Sequence, residues 1–247
     1  MLKKYILFLC LFIIVLPSYT QINHQFSISN NQIKDGLNNG LLFIGTNVSY
    51  QFGYEREVEK ILKIFSCSLN IGLLNRNGLQ GYNLNLTPFQ YYYGIDLWKS
   101  DKMTLYFGGY AEILYQFQLY PDLQMGNIVW TTLYTISPKL IVNYDVSENK
   151  SIRLQLSNSV LGFISRPTNF DSYFFSLRFS DIVYNAHSDF NLRTINELNN
   201  FYLNLDFIFK NRVRKISFGY SLNYLNYNGN SFFNQLNHSL SVKIYQK

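Results

Sequence analysis

An all-β fold, a single antiparallel barrel with strands running up and down and closing on themselves, follows from three features of the sequence. The first is a period of two in hydropathy. Ile216, Phe218, Tyr220, Leu222 and Tyr224 alternate with Ser217, Gly219, Ser221 and Asn223, and after Asn228-Gly229-Asn230 the pattern resumes with Leu236, His238, Leu240, Val242 and Ile244. Such alternation marks a strand with one apolar and one polar face, and it recurs along nearly the whole chain. The second is an alternation of short charged reversals, at 55–60, 99–102, 145–150 and 210–214, with longer loops containing Asn, Gly or Pro. The third is the make-up of the polar faces, which are Ser, Asn, Gln, Thr and Gly rather than the Lys and Glu of a sheet facing bulk water. A polar face of that kind suits a narrow lumen, and the apolar face then meets lipid. Backbone groups in lipid must all be paired, so a β-chain crossing a membrane has to close into a barrel.

Composition agrees. Charged residues make up only 15% of the chain and aromatic residues 18%, with 21 Tyr and 21 Phe, a balance that fits strands whose outer side meets something other than water. The first twenty residues stand apart: Lys3 and Lys4 precede an apolar run from Tyr5 to Leu16, followed by Pro17 and Ser18-Tyr19-Thr20. That is the layout of a secretory signal, with cleavage expected before Gln21, and the run is short of the ~20 residues of a spanning helix. Cys10 lies within the run, after bulky Leu7-Phe8-Leu9, so lipidation is not expected. Residues 21–247 then form one domain, since similar segments follow at even spacing without a linker. Two of the 21 basic residues fall in the signal, leaving 19 against 15 acidic ones. An excess so mild and scattered gives no expectation of nucleic-acid binding. Cys67, the one cysteine left, falls on an apolar face and reads as a small hydrophobe.

Taken in order, the first strand is expected near 22–34, with Ile22, His24, Phe26 and Ile28 on one face. The second, 41–55, sets Leu42, Ile44, Val48, Tyr50, Phe52 and Tyr54 against small and polar residues, and Glu55 to Lys60 reverse the chain. The third, 61–75, precedes a turn-rich loop at Asn75 to Gly81. The fourth, 83–98, changes parity around Pro88-Phe89, as a bulge would. The fifth is 103–119, the sixth 128–144 and the seventh 151–164, and 201–210 is a further strand before the last hairpin. About ten strands result, with 165–200 as one long outer loop. The alternative is twelve, pairing Tyr173, Phe175, Leu177 and Phe179 with a weaker strand near 189–196; ten is preferred because that second strand is short for a ~9–11 residue span.

On the signal, the alternation and the turn asymmetry, residues 22–247 resemble the small outer-membrane β-barrel proteins of Gram-negative bacteria. The resemblance implies a bacterial outer-membrane location and a transmembrane barrel with short periplasmic turns. The apolar face of the last strand is similar to the C-terminal sorting strand of such barrels, although the chain ends in Tyr245-Gln246-Lys247 rather than an aromatic residue.

Six charged residues have inward parity: Asp96, Lys139, Arg153, Asp206 and Lys243 near the periplasmic end, and Glu112 higher on strand five. Opposite charges in a lumen of low dielectric must pair or stay hydrated, so a ring of ion pairs constricting the barrel is expected. Two roles stay open for it: filling and stiffening the interior, or selecting what passes.

Signals for catalysis are weak. The histidines are His24, His187 and His238, and Ser188 and Ser239 follow two of them directly, so on a strand they would point to the opposite side. Lipid A deacylases and outer-membrane phospholipases of similar architecture place the two residues two positions apart. His187-Ser188-Asp189 could act only from a loop. His24 and His238 share outward parity on strands that meet at closure. No phosphate loop, zinc spacing or calcium loop occurs, so neither cofactor nor metal is expected. Tyr54, Trp98 and Tyr144 beside short turns, and Tyr82, Tyr120 and Trp130 beside long loops, read as interfacial girdles. Tyr120-Pro121-Asp122 and Phe232-Phe233 are candidate contacts for a partner protein or glycan. The leading expectation is a non-enzymatic barrel, either a narrow pore or a subunit of an outer-membrane assembly. Its surroundings are outer-membrane lipid, and its candidate partners are other outer-membrane or periplasmic proteins. The alternatives are a lipid-modifying hydrolase acting through His187, and a secreted soluble barrel with an apolar ligand inside.

Overall fold

The computed structural model describes residues 21–123, 127–167, 184, 186–188, 190–211, 214–229 and 231–246. The expected signal at 1–20, Asp189 and the candidate strand at 173–180 lie outside them. The described residues form twelve strands: β1 (Gln21–Asp35), β2 (Leu41–Val58), β3 (Ile61–Arg76), β4 (Leu79–Lys99), β5 (Met103–Tyr120), β6 (Asn127–Ser147), β7 (Lys150–Asn158), β8 (Leu161–Ser165), β9 (Asn191–Thr194), β10 (Leu198–Lys210), β11 (Lys215–Tyr227) and β12 (Phe233–Gln246). Ten of them close an antiparallel barrel in the order β1 to β7, then β10, β11 and β12, with β12 pairing β1 from Ile22–Gln246 to Asp35–Phe233. The preference for ten is thus borne out.

Of the remaining two strands, β8 is the outer part of the strand expected at 151–164, split off from β7, while β9, within the 189–196 of the alternative, corrects the reading of 165–200 as one loop. β8 continues the path of β7 after a break at Ser159-Val160 and pairs the outer half of β6, while β9 pairs β8 through Leu161–Thr194 to Ile164–Asn191. The break is held shut by Asn200, whose N–H donates to Ser159 Oγ (2.9 Å) while Ser159 N–H donates to the Asn200 carbonyl (3.1 Å).

Turn chemistry sets the register. Asn77 and Gly78 both have positive φ (48° and 88°), which makes the β3–β4 connection a tight two-residue hairpin in place of the expected longer loop. At the other end Glu59-Lys60 turns β2 into β3, with Glu59 at φ 54°. The reversal is two residues long, so Glu55 belongs to the strand, where its parity turns it inward. The parity change at Pro88-Phe89 is real: the register shifts between Leu86 and Phe89 against β5. We call the end with the short turns inner and the opposite end outer.

The ladder is staggered. A circuit that leaves Ile152 on β7 and passes Phe207, Phe26 and Tyr115 returns at Ser165 on β8, nearer the outer end. Such an offset tilts the strands of a barrel, so each ladder step from β10 towards β6 climbs outward. Ser, Asn and Gln make up most of the inward face. Phe26, Ile28, Val48, Ile71, Phe107, Ile136, Phe218 and Leu240 face outward and are exposed.

Candidate functional site

The lumen is layered, and its outer layer is apolar. Ile33, Phe43, Leu74, Tyr120, Leu133, Ile164, Leu198, Leu225, Tyr227 and Phe233 point inward from nine strands and form one cluster, none of them more than 5% exposed. Parity explains why these residues point inward: each is an apolar side chain on the otherwise polar face, at the outer end of its strand. Tyr120 and Phe233 therefore do not stand ready for a partner or glycan, and Tyr120 is not part of a girdle. Trp130 is also buried, at 2% exposure. Tyr82, Trp98 and Tyr144 face outward and are exposed, as a girdle requires.

A buried ion pair crosses this layer. Arg166, just beyond β8, donates from Nη2 to both carboxylate oxygens of Asp35 at 2.9 Å and from Nη1 to Thr131 Oγ1 at 2.8 Å. The two side chains are 3% and 1% exposed. The guanidinium lies 4.5 Å from the centre of the Phe233 ring. Asp35 Oδ1 also accepts from the N–H of Leu37 (2.9 Å), capping the short 3-10 turn at Gly36–Asn38. A planar, doubly donating cation is suited to a place where both a carboxylate and an aromatic face must be matched.

Beneath this layer lies a polar chamber of about 200 Å³. The Oδ1 atoms of Asn70, Asn85 and Asn237 in its wall are buried without a protein partner among the described residues. Glu112 spans it, accepting from Gln90 Nε2 (2.8 Å) on β4 and from Asn200 Nδ2 (3.1 Å) on β10. Lys139 is 7% exposed and its ammonium lies 4.6, 5.5 and 5.8 Å from the ring centres of Tyr110, Tyr202 and Tyr92.

At the inner end Arg153 donates to Glu55 through both terminal nitrogens (2.6 and 2.7 Å) and through Nε to Asn143 (2.7 Å). Asp206 accepts from Asn204 Nδ2 (2.7 Å) and lies over Gly219, its ladder partner, where a side chain would collide with the carboxylate. Lys243 lies 5.9 Å from the Tyr245 ring. Asp96 is half-buried opposite Tyr106, whose hydroxyl donates to Glu57 (2.6 Å). Leu62, Tyr92, Tyr106 and Ile141 close this end on the β3–β6 side.

All six charged residues read from parity line the interior, but they do not pair with one another. Only Arg153 is in an ion pair among the described residues, and its partner is Glu55. Glu55 was hidden by its place in a charged run that reads as a turn. Its odd parity, shared with Ser49 and Gln51, was the available signal. Asp35 and Arg166 were missed because both sit at strand ends beside loop residues, where periodicity fades.

The histidines do not assemble. His24 and His238 lie on neighbouring strands, but His24 stands opposite Ile244 and His238 opposite Asn30, about 20 Å apart at ~3.4 Å per residue. Each is bonded to a tyrosine on its own side, Tyr50 (2.8 Å) and Tyr220 (2.7 Å). His187 lies against the outside of the wall, its Nε2 3.0 Å from the Tyr115 hydroxyl. Among the described residues no three His, Cys, Asp or Glu side chains converge as a metal site would require.

No family model and no curated protein matches the chain. Solved structures do share its fold. The outer membrane protease OmpT from Escherichia coli aligns with a TM-score of 0.56 at 7% identity, over 94% of this chain and 97% of that one. The translocator domain of the autotransporter NalP from Neisseria meningitidis aligns at 0.48 and 7% identity, over 99% and 94%. The chain has the fold of the bacterial outer-membrane β-barrels, and at such identity the likeness extends to the fold alone.

Proposed function

We propose that this chain is an integral outer-membrane barrel, exported by a signal cleaved before Gln21, that does not conduct and is not an enzyme. It acts as a membrane-embedded subunit, offering its wall and outer loops to neighbouring molecules. The observation that carries this reading is the outer apolar layer. A hydrated path through the barrel would leave part of that layer wet, yet its ten residues, contributed by nine strands, are all buried, and the Asp35–Arg166 bridge spans the space between them. The layer supports the subunit over the pore. Against a soluble barrel with an apolar interior, the outward faces are the apolar ones and the chamber wall is polar. Against the hydrolase, His187 is engaged by Tyr115 on the outside of the wall.

Planar-bilayer recording of the detergent-purified, heat-modifiable protein tests this. Wild type, Lys139→Ala and Asp206→Ala are expected to be equally silent, and Leu133→Ser combined with Leu225→Ser is expected to admit current. Discrete conductance in wild type, altered by Lys139→Ala, would restore the pore.

A further inference from the structure

The outward apolar face is not of equal height around the barrel. On β10 it runs through Phe201, Leu203, Leu205, Phe207 and Phe209 and ends at Asn199; on β11 it ends at Asn226 and on β12 at Asn234. On β5 the outward positions run from Leu105 to Leu119 without a charged or amide side chain, and on β4 from Leu97 to Tyr82. With ~3.4 Å per residue and a tilt near 40°, the β10 face spans roughly 20 Å and the β5 face roughly 35 Å. The apolar band of a membrane barrel is about 25 Å tall, so the β4–β5 wall carries apolar surface beyond it. The stagger directs that excess outward: Leu119 lies on the same ladder line as Tyr82, Leu73, Thr46 and the polar Asn30, and the line climbs towards β5.

That surplus wall is roofed. Ala186, 1% exposed, and His187 pack over it and complete a groove of about 760 Å³ lined by Leu69, Ile71, Leu84, Phe117, Ala186 and His187. The volume is within the ~300–1,000 Å³ of sites that enclose a small molecule. At one edge stand polar groups: the Tyr115 hydroxyl, 3.0 Å from His187 Nε2 and 3.2 Å from the Tyr134 hydroxyl.

We propose that this groove seats an acyl chain of a bilayer phospholipid, drawn up from the lipid-facing wall, with the Tyr115–Tyr134–His187 hydroxyl and imidazole groups at the level of its ester linkages. The proposal rests on the reading of the chain as a membrane-embedded barrel. Continuity favours lipid as the occupant. Leu86 and Tyr115 line the groove, and the next rung of the same outward face is Phe89 paired with Ile113, so apolar surface runs unbroken from the wall into the groove and a chain can follow it without crossing water. A soluble partner protein would instead have to bring an apolar segment through water and under His187.

Native mass spectrometry of the full-length, detergent-purified protein with added palmitoyl-oleoyl-phosphatidylethanolamine tests it. One lipid is expected to stay bound to wild type at collision energies that strip the rest. Leu84→Asn with Phe117→Asn is expected to lower that occupancy at least tenfold, and Leu205→Asn with Phe207→Asn on the opposite wall to leave it unchanged. Ala186→Trp, which fills the groove from its roof without altering a strand residue, is expected to match the groove variant and guards against a wall variant that fails to fold. Equal retention by all variants, or none by wild type, would overturn the proposal, as would a dimeric mass showing that the wall docks a second copy. Failure of the underlying reading looks different: a protein that stays in solution without detergent and is not heat-modifiable.

Discussion

Glu55 and Arg153 meet across the full width of the barrel. Glu55 is on β2 and Arg153 on β7, five strands apart in a ring of ten, and they make two charge-assisted hydrogen bonds of 2.6 and 2.7 Å with side chains 12% and 7% exposed. Removing one partner strands a buried charge, a change that typically costs about 3–5 kcal/mol. Glu55→Gln and Arg153→Met are each expected to lower the urea midpoint of the barrel in liposomes, and the double variant to recover most of the loss. A double variant as unstable as the sum of the singles would mean the two residues act independently.

The second crossing bridge, Asp35–Arg166, sits among apolar side chains, so its loss should loosen the seal as well as the fold. Asp35→Ala is expected to give brief conductance events in a protein that is otherwise silent. Asp145→Ala breaks a bridge to Lys210 whose side chains are 50% and 42% exposed, and is expected to change stability by no more than about 1 kcal/mol and conductance not at all. Silence from both variants would show that the apolar layer seals without the bridge.

Lys139 is held by ring faces rather than by a carboxylate. Cation–π contacts supply about 0.5–2 kcal/mol each, against the cost of keeping an ammonium out of water. Lys139→Met keeps the length of the side chain and removes the charge, so a urea midpoint equal to or above wild type is expected. A fall equivalent to more than about 1 kcal/mol would show that the three tyrosines contribute more than that cost.

Gly108 and Gly109 adjoin in β5 but face opposite ways. A Cβ on Gly108 would run into the carbonyl oxygen of Tyr93 and the backbone of Gly94, whereas one on Gly109 meets nothing within 4 Å. Gly109→Ala is expected to fold and shift on heating like wild type; Gly108→Ala is expected to lose the folded, heat-modifiable band. Equal behaviour of the two would show that β4 and β5 have room to part.

Much of this architecture can be read from residues alone, because side-chain parity is a local property. Ile216 to Tyr224 announce a strand whatever they pair with, and the phase slip at Pro88-Phe89 announces a bulge before any partner is known. Inward charges such as Glu112 and Lys139 follow from the same rule. What they touch does not, since Glu55 reaches Arg153, and Asp35 reaches Arg166, across a lumen whose width and stagger are properties of the closed ring. The outer apolar layer is not legible in the sequence for a related reason. Leu74, Leu133 and Leu225 each look like an isolated apolar residue on a polar face, and only closure brings them together.

The β1–β12 seam joins the two ends of the chain in a ladder of fourteen residue pairs, while most of the other barrel ladders join neighbours in sequence. Until Phe233–Gln246 is in place, β1 and β11 each present an edge of backbone donors and acceptors without a strand partner, which water can satisfy and lipid cannot. A barrel in which β12 is not seated therefore offers two open edges at which strands from other chains can add.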